Sequence, residues 1–301
     1  RHSEIGDHNR PHLYRRGDTF RPLGGVSVSD SDSGTNVISV TLSVNDGILR
    51  LVTTTGLTFT GGANDSATMT VTGTTTNLNN ALATLMYQPN ADFDASDLLT
   101  LSVDDLGNTG GGSLTHMDTA TITVTPINDP PVVDLDANDS AGATINDYAV
   151  TFTEGGVPIA IGDIDTDVVD PDNTTFAYVK LGVSGLLDGN AETLVLDGDT
   201  FTLATAVAGQ DTTGGNYHVM LATGAGTATV TITKQGGETF TEAETETLIQ
   251  AIQYQHTDTN APTDGNRLID VYVNDGTADS AAARTTINVD PVNEKKNKKK
   301  R

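Results

Sequence analysis

The chain has 301 residues, no Trp, no Cys, seven Phe, seven Tyr and a formal net charge of −24. Positive charge is concentrated at the ends, so residues 22–294 hold 37 acids against five bases, a net charge of −32. Such a surface repels nucleic acid and anionic membrane and attracts cations, no segment reaches the roughly 18 consecutive apolar residues of a membrane span, and a disulfide framework is excluded.

Solubility, or adaptation to salty surroundings, would account for the acids as well as cation binding does; their clustering favours cation binding. Residues 1–22 are polar and basic, carry no secretory signal pattern, match nothing downstream and read as a leader or unrelated stub. If the protein is exported, the sequence is that of a mature or internal fragment.

From residue 23 onward, short Thr- and Val-rich runs alternate with Gly/Asn/Asp turns, which predicts strands rather than helices. VSVSDSDSG (26–34) resembles IAIGDIDTD (159–167), and NALATLMYQPNADFDASDLLTLSVDDLGN (80–108) resembles TLIQAIQYQHTDTNAPTDGNRLIDVYVNDGTA (247–278). This internal repeat sets the fold class. It is all-β, two tandem β-sandwich domains of Greek-key type, each interrupted by one short helix.

Leu78, Ala81, Leu82 and Leu85 share a helical face, as do Leu248, Ile249 and Ile252. Thr241-x-x-Glu244 reads as a capping box. Leu99–Val103 and Ile269–Val273 alternate as half-buried strands do.

Pro130-Pro131 cannot continue a ladder and is the predicted linker. It separates domain 1 (23–129), which lacks a counterpart of the strand predicted near Tyr148–Thr153, from domain 2 (132–294). The tail 295–301 reads as a disordered basic run.

Calcium takes six to eight oxygen ligands from carboxylates, amides and carbonyls. Candidate ligands are Asp30 and Asp32, Asp163 and Asp165, Asp105 and Asp275 at strand ends, and Asn128-Asp129 before the linker. Asp134-x-Asp136-x-Asn138 and Asp163-x-Asp165-x-Asp167 match the opening of an EF-hand loop, but Asp139 and Val168 stand where that loop needs Gly. Asp134 and Asp136 fit a solvated loop as well as a calcium role.

Catalysis finds little support. The six histidines show no zinc spacing, and Gly182-Val-Ser184-Gly185 lacks the arrangement of a nucleophile elbow. Arg16-Gly17-Asp18 is an integrin-type tripeptide of a kind that arises by chance.

LTLSVDDLGN followed by TATITVTPINDPP resembles the end of a cadherin repeat. GLTFTGGAND, MYQPNADF, FTEGG and VNDGTADS resemble the cadherin-like repeats of large bacterial surface and adhesin proteins. The resemblance covers residues 24–294 and implies calcium at the domain junction. Asn128 and Asp129 would come from the linker, Asp163, Asp165 and Asp275 from domain 2, and Asp92 or Asp94 from domain 1.

It further implies Glu154 as the early-strand ligand at the far end of domain 2, and Asp30, Asp32 and Asp105 turned toward a preceding repeat. Pro126 replaces the linker's usual first Asp, PNADFD differs from the animal motif, and Glu294 stands where Asp129 does.

The expected function is a non-enzymatic, extracellular or cell-surface spacer or adhesion segment. Its partners would be calcium, neighbouring repeats and cell-surface or matrix ligands, with neither nucleic acid nor membrane insertion. The alternative is a carbohydrate- or matrix-binding module attached to a secreted enzyme, against which the scarcity of aromatics counts.

Overall fold

The computed structural model describes residues 2–5, 14–15, 19–31, 33–108, 112–143, 145–259 and 262–292, with backbone alone for the first two segments. Among the described residues the structure is all-β apart from two short α-helices and one 3-10 turn. It divides into two compact units between Ile127 and Asn128.

Unit 1 pairs a six-stranded sheet with a three-stranded one. In the larger sheet Ser96–Asp104 is central, antiparallel to Thr115–Thr125 on one side and Val37–Ser43 on the other. Strict alternation sends Ile38, Val40, Leu42, Leu99 and Leu101 inward, where they are at most 1% exposed. The outward set is hydroxylic, with Thr41 and Thr70 joined across strands at 3.0 Å. Each alternate residue thus goes to one face, as the two-residue period of a strand requires.

The helix α1 (Thr75–Leu82) starts at Thr74, whose hydroxyl accepts the Asn77 amide. It buries Leu78, Ala81 and Leu82. Leu85 is also buried but begins the strand Leu85–Pro89, so the helix holds three of the four residues predicted on its face.

Unit 2 follows the same plan with longer hairpins: a seven-stranded sheet, a four-stranded one, and α2 (Glu242–Ala251) between them. Both halves of the Thr241/Glu244 capping box form. The larger sheet of each unit ends on one irregular edge. Thr58–Gly62 and Val207–Asp211 each carry a register shift, a device that discourages further strand addition.

The leader pairs into unit 1. Tyr14–Arg15 runs parallel to Val124–Thr125, as Tyr148–Thr153 runs parallel to the last strand of unit 2. Arg21–Pro22 pairs with Tyr87 and Met86, as Ile159–Ala160 pairs with Tyr254 and Gln253. The first strand missing from the predicted domain 1 therefore has its counterpart inside residues 1–22. Its sequence, YRRG against FTEGG, hides the match.

Candidate metal centre

The strand registers also fix which acids correspond. The Val28 amide donates to Asn79 Oδ1, and the Val168 amide donates to Glu246 Oε1, from equivalent helix positions. Val28 thus corresponds to Val168 and Asp30 to Asp170, and two residues further along each sequence stand Asp32 and Asp172. The sequence comparison had paired Asp30 and Asp32 with Asp163 and Asp165. The segment between Ile161 and Val168 is two residues longer than that between Leu23 and Val28, which displaces the apparent match.

Asp170 and Asp172 lie at the end of unit 2 where the chain enters. The Asp129 amide donates to Asp172 Oδ2 at 2.7 Å, and the Asn128 side-chain amide donates to Asp275 Oδ2 at 2.6 Å. Asn173 donates to Asn128 Oδ1 at 3.4 Å. Asp170 Oδ1 accepts the amides of Asp172 and Asn173, whereas its Oδ2 is buried and accepts no hydrogen bond.

Burial works against the Asp275 charge. The Ala278 amide, the Asn128 side chain and the Thr277 amide outweigh it and hold the carboxyl below its ordinary range. Asn128 and Asp129 are bonded to Asp275 and Asp172, with Asp170 adjacent. Asp170 and Asp172 belong to an Asp-Pro-Asp run that is not among the sequence candidates.

Asp163 and Asp165 go elsewhere. With Asp136 they form a group whose oxygens lie within 4.8 Å of one another. Asp136 is 0% exposed and is held by the Ser140 and Ala141 amides. Asp165 Oδ2 accepts the Asn138 amide at 3.1 Å, and its Oδ1 is buried without a partner. The Tyr148 hydroxyl beside this group is pushed up by burial first and then by the charges of Asp163 and Asp136. The loop is a nest of carboxylates from two segments, not a single EF-hand loop.

The remaining candidates lie apart. Glu154 accepts the Val292 amide at 2.8 Å and donates its own amide to Asp290. That is the opposite end of unit 2 from Asp275, about 25 Å away along the strand Ala283–Asp290. Asp92 and Asp94 are exposed in the loop before Ser96–Asp104, Asp92 with a positive φ of 62°.

In unit 1, Asp105 is 4% exposed and accepts the Gly107 and Leu114 amides on Oδ1. Asp30 is half-buried, and its carbonyl accepts the Ser33 hydroxyl at 3.3 Å. Asp32 falls outside the described residues.

Two further acidic groups are distinct from these. Asp167, Glu242 and Glu246 cluster near the start of α2. Asp188 and Glu192 group with His256, but Arg267 lies on both carboxylates and satisfies them without a metal. A cleft of about 290 Å³ between Tyr217, Phe240 and α2 has Lys234 and Glu244 paired with each other at its rim.

No protein-family model matches the chain, and no curated protein matches it. Solved structures similar to it include the EC3-6 cis-dimer of protocadherin gammaB7 (10% identity, 90% of this chain, 50% of that one, TM-score 0.28). Mouse clustered PcdhgC3 EC1-3 is similar at 12% identity over 93% of this chain and 66% of that one, with a TM-score of 0.30. The C-terminal domain of the Streptococcus agalactiae AgI/II polypeptide BspA is similar at 12% identity, covering 86% and 87% of the two chains, with a TM-score of 0.21. The chain thus spans half the length of the first of these. Among the described residues no helix is long and apolar enough to cross a membrane.

Proposed function

We propose that this chain is a calcium-binding, extracellular repeat segment, acting as a spacer or in adhesion, with its principal ion at the entry end of unit 2. Asn128, Asp129, Asp170, Asp172 and Asp275 would hold the ion. The observation that carries the reading is Asp170 Oδ2, a buried carboxylate oxygen with no donor, beside two linker residues already bonded to Asp172 and Asp275.

All the donors are hard oxygens, as calcium prefers. Bound there, the ion would supply positive charge among carboxylates linked to one another through Asn128, Asn173 and the Asp129 amide. It would also tie residues 128–129 to both the 170–173 loop and the end of the strand Gly265–Asn274. The Asp136, Asp163 and Asp165 group offers a second set of the same chemistry.

The reading is mechanical rather than catalytic: the residues fix a chain entry and activate no nucleophile. Thermal unfolding with calcium against chelator, alongside small-angle scattering, tests it. A ligand bound only by the folded form must raise the melting temperature, and a spacer should become longer and stiffer. An unchanged melting temperature and unchanged scattering would leave the acids as a solvated surface and end the calcium reading.

A further inference from the structure

The end of unit 2 that carries Glu154 also holds a buried polar cluster around His256. His256 closes the strand Gln253–His256 and is 2% exposed. Its Nδ1 accepts the Asp258 amide at 3.3 Å. The ring proton therefore sits on Nε2, which donates to Asp188 Oδ2 at 2.9 Å.

The charged groups around the ring are few. Arg267 donates through Nη2 to the same Asp188 oxygen at 2.9 Å and through Nε to Glu192. Tyr254 donates its hydroxyl to Glu192 at 3.1 Å, and Phe152 packs at 6.4 Å between ring centroids. Asp258 and Asp264 are the charged residues on the loop 257–264 that leaves the strand. Thr263 binds Asp188 through both its amide and its hydroxyl.

Two carboxylates and one guanidinium leave the Asp188, Glu192 and Arg267 group with one net negative charge. What a doubly protonated ring cannot keep is an acceptor. Both nitrogens become donors, and turning the ring over does not restore one. Nδ1–H would then point at the Asp258 N–H, a contact between two donors.

We propose that His256 is a proton-operated clasp. Neutral, it holds the Asp258 amide, one residue beyond Thr257, whose amide and hydroxyl are bonded to the Ala191 carbonyl whatever the ring's charge. Protonated, it tightens on Asp188 and releases that amide. The core beneath is unaffected, because the Arg267 and Tyr254 bonds to Glu192 do not pass through the ring. The clasp makes one loop at one end of unit 2 sensitive to acidification, and it is independent of whether calcium binds at the other end.

Nuclear magnetic resonance tests this on the whole chain, following the His256 ring nitrogens and the Asp258 amide exchange from about pH 7.5 to about pH 5. The expected result is that the Asp258 protection factor falls about tenfold as the ring protonates, the loss of one hydrogen bond. The Val271 and Val273 amides should keep theirs. In His256→Gln the pH-dependent loss should vanish. A ring that protonates while Asp258 stays protected would overturn the proposal. So would a ring that stays neutral throughout, or the same loss in the Gln variant.

Discussion

Asp97 and Arg267 occupy the same position in the two units, opposite Ile122 and Ile287 in equivalent strand pairs, yet carry opposite charges. Both are buried, at 2% and 0% exposure. In unit 1 Asp97 accepts the Asn45 and Asp46 amides and the Tyr87 hydroxyl. In unit 2 the carboxylate comes instead from Glu192, which accepts the Leu187 and Asp188 amides and the Tyr254 hydroxyl. Glu192 stands where unit 1 has Gly47, each two residues before the Leu that faces the Tyr. Each unit needs one buried carboxylate beneath its Tyr, and the two supply it from different strands.

Arg267→Met should therefore destabilise unit 2 severely, by about 3–5 kcal/mol, because it strands Glu192 and Asp188 without a counter-charge. Restoring the unit 1 combination with Glu192→Gly and Arg267→Asp should cost less than the two single changes added together. Urea unfolding of the unaltered chain, Arg267→Met, the two single changes and the double variant measures both; strict additivity would contradict the exchange.

Gly47→Ala should destabilise unit 1 by about 1–3 kcal/mol. An added Cβ would meet the Tyr87 ring at 2.4 Å and the Gln88 carbonyl oxygen at 2.6 Å. Tyr87 is 0% exposed and bonded at its hydroxyl, so it has no room to yield. Denaturant unfolding checks this, and an unaltered midpoint would show that the ring can shift.

Acid should weaken unit 2 through Asp188 and Asp275. At Asp188 burial works against the charge, but the hydroxyl and amide of Thr263 and the His256 ring outweigh it and lower the carboxyl's pKa; Asp275 is lowered likewise. A carboxyl depressed in the folded state stabilises at neutral pH. Its contribution begins to fade as pH falls toward the unfolded value near 4 and is lost as pH drops through the folded one. Melting temperature against pH should therefore fall in acid, and Asp275→Asn should flatten that fall. A parallel curve for the variant would contradict the assignment.

Much of this architecture is legible in the sequence, because strand alternation and Gly/Asn/Asp turns are local signals. The helix cap at Thr241 and Glu244 is equally local. The first strand of unit 1 was not legible: Tyr14–Arg15 pairs in parallel across more than 100 residues, and no local pattern announces such a partner. Asn128, Asp129 and Asp275 were legible as candidates, whereas Asp170 and Asp172 were not. Asp163-x-Asp165 and Asp170-Pro-Asp172 both follow apolar pairs closely, and only the register at Val28 and Val168 separates them. An alignment allowing two extra residues before Val168 would have found Asp170.

Calcium titration calorimetry on the unaltered chain and on the Asp170→Asn, Asp172→Asn double variant tests the central claim most directly, with Asp136→Asn as the comparison. The account predicts binding to the unaltered chain, loss of the principal event in the double variant with its fold intact by circular dichroism, and retention of that event in Asp136→Asn. No heat of binding in the unaltered chain, or an undiminished isotherm in the double variant, would contradict it.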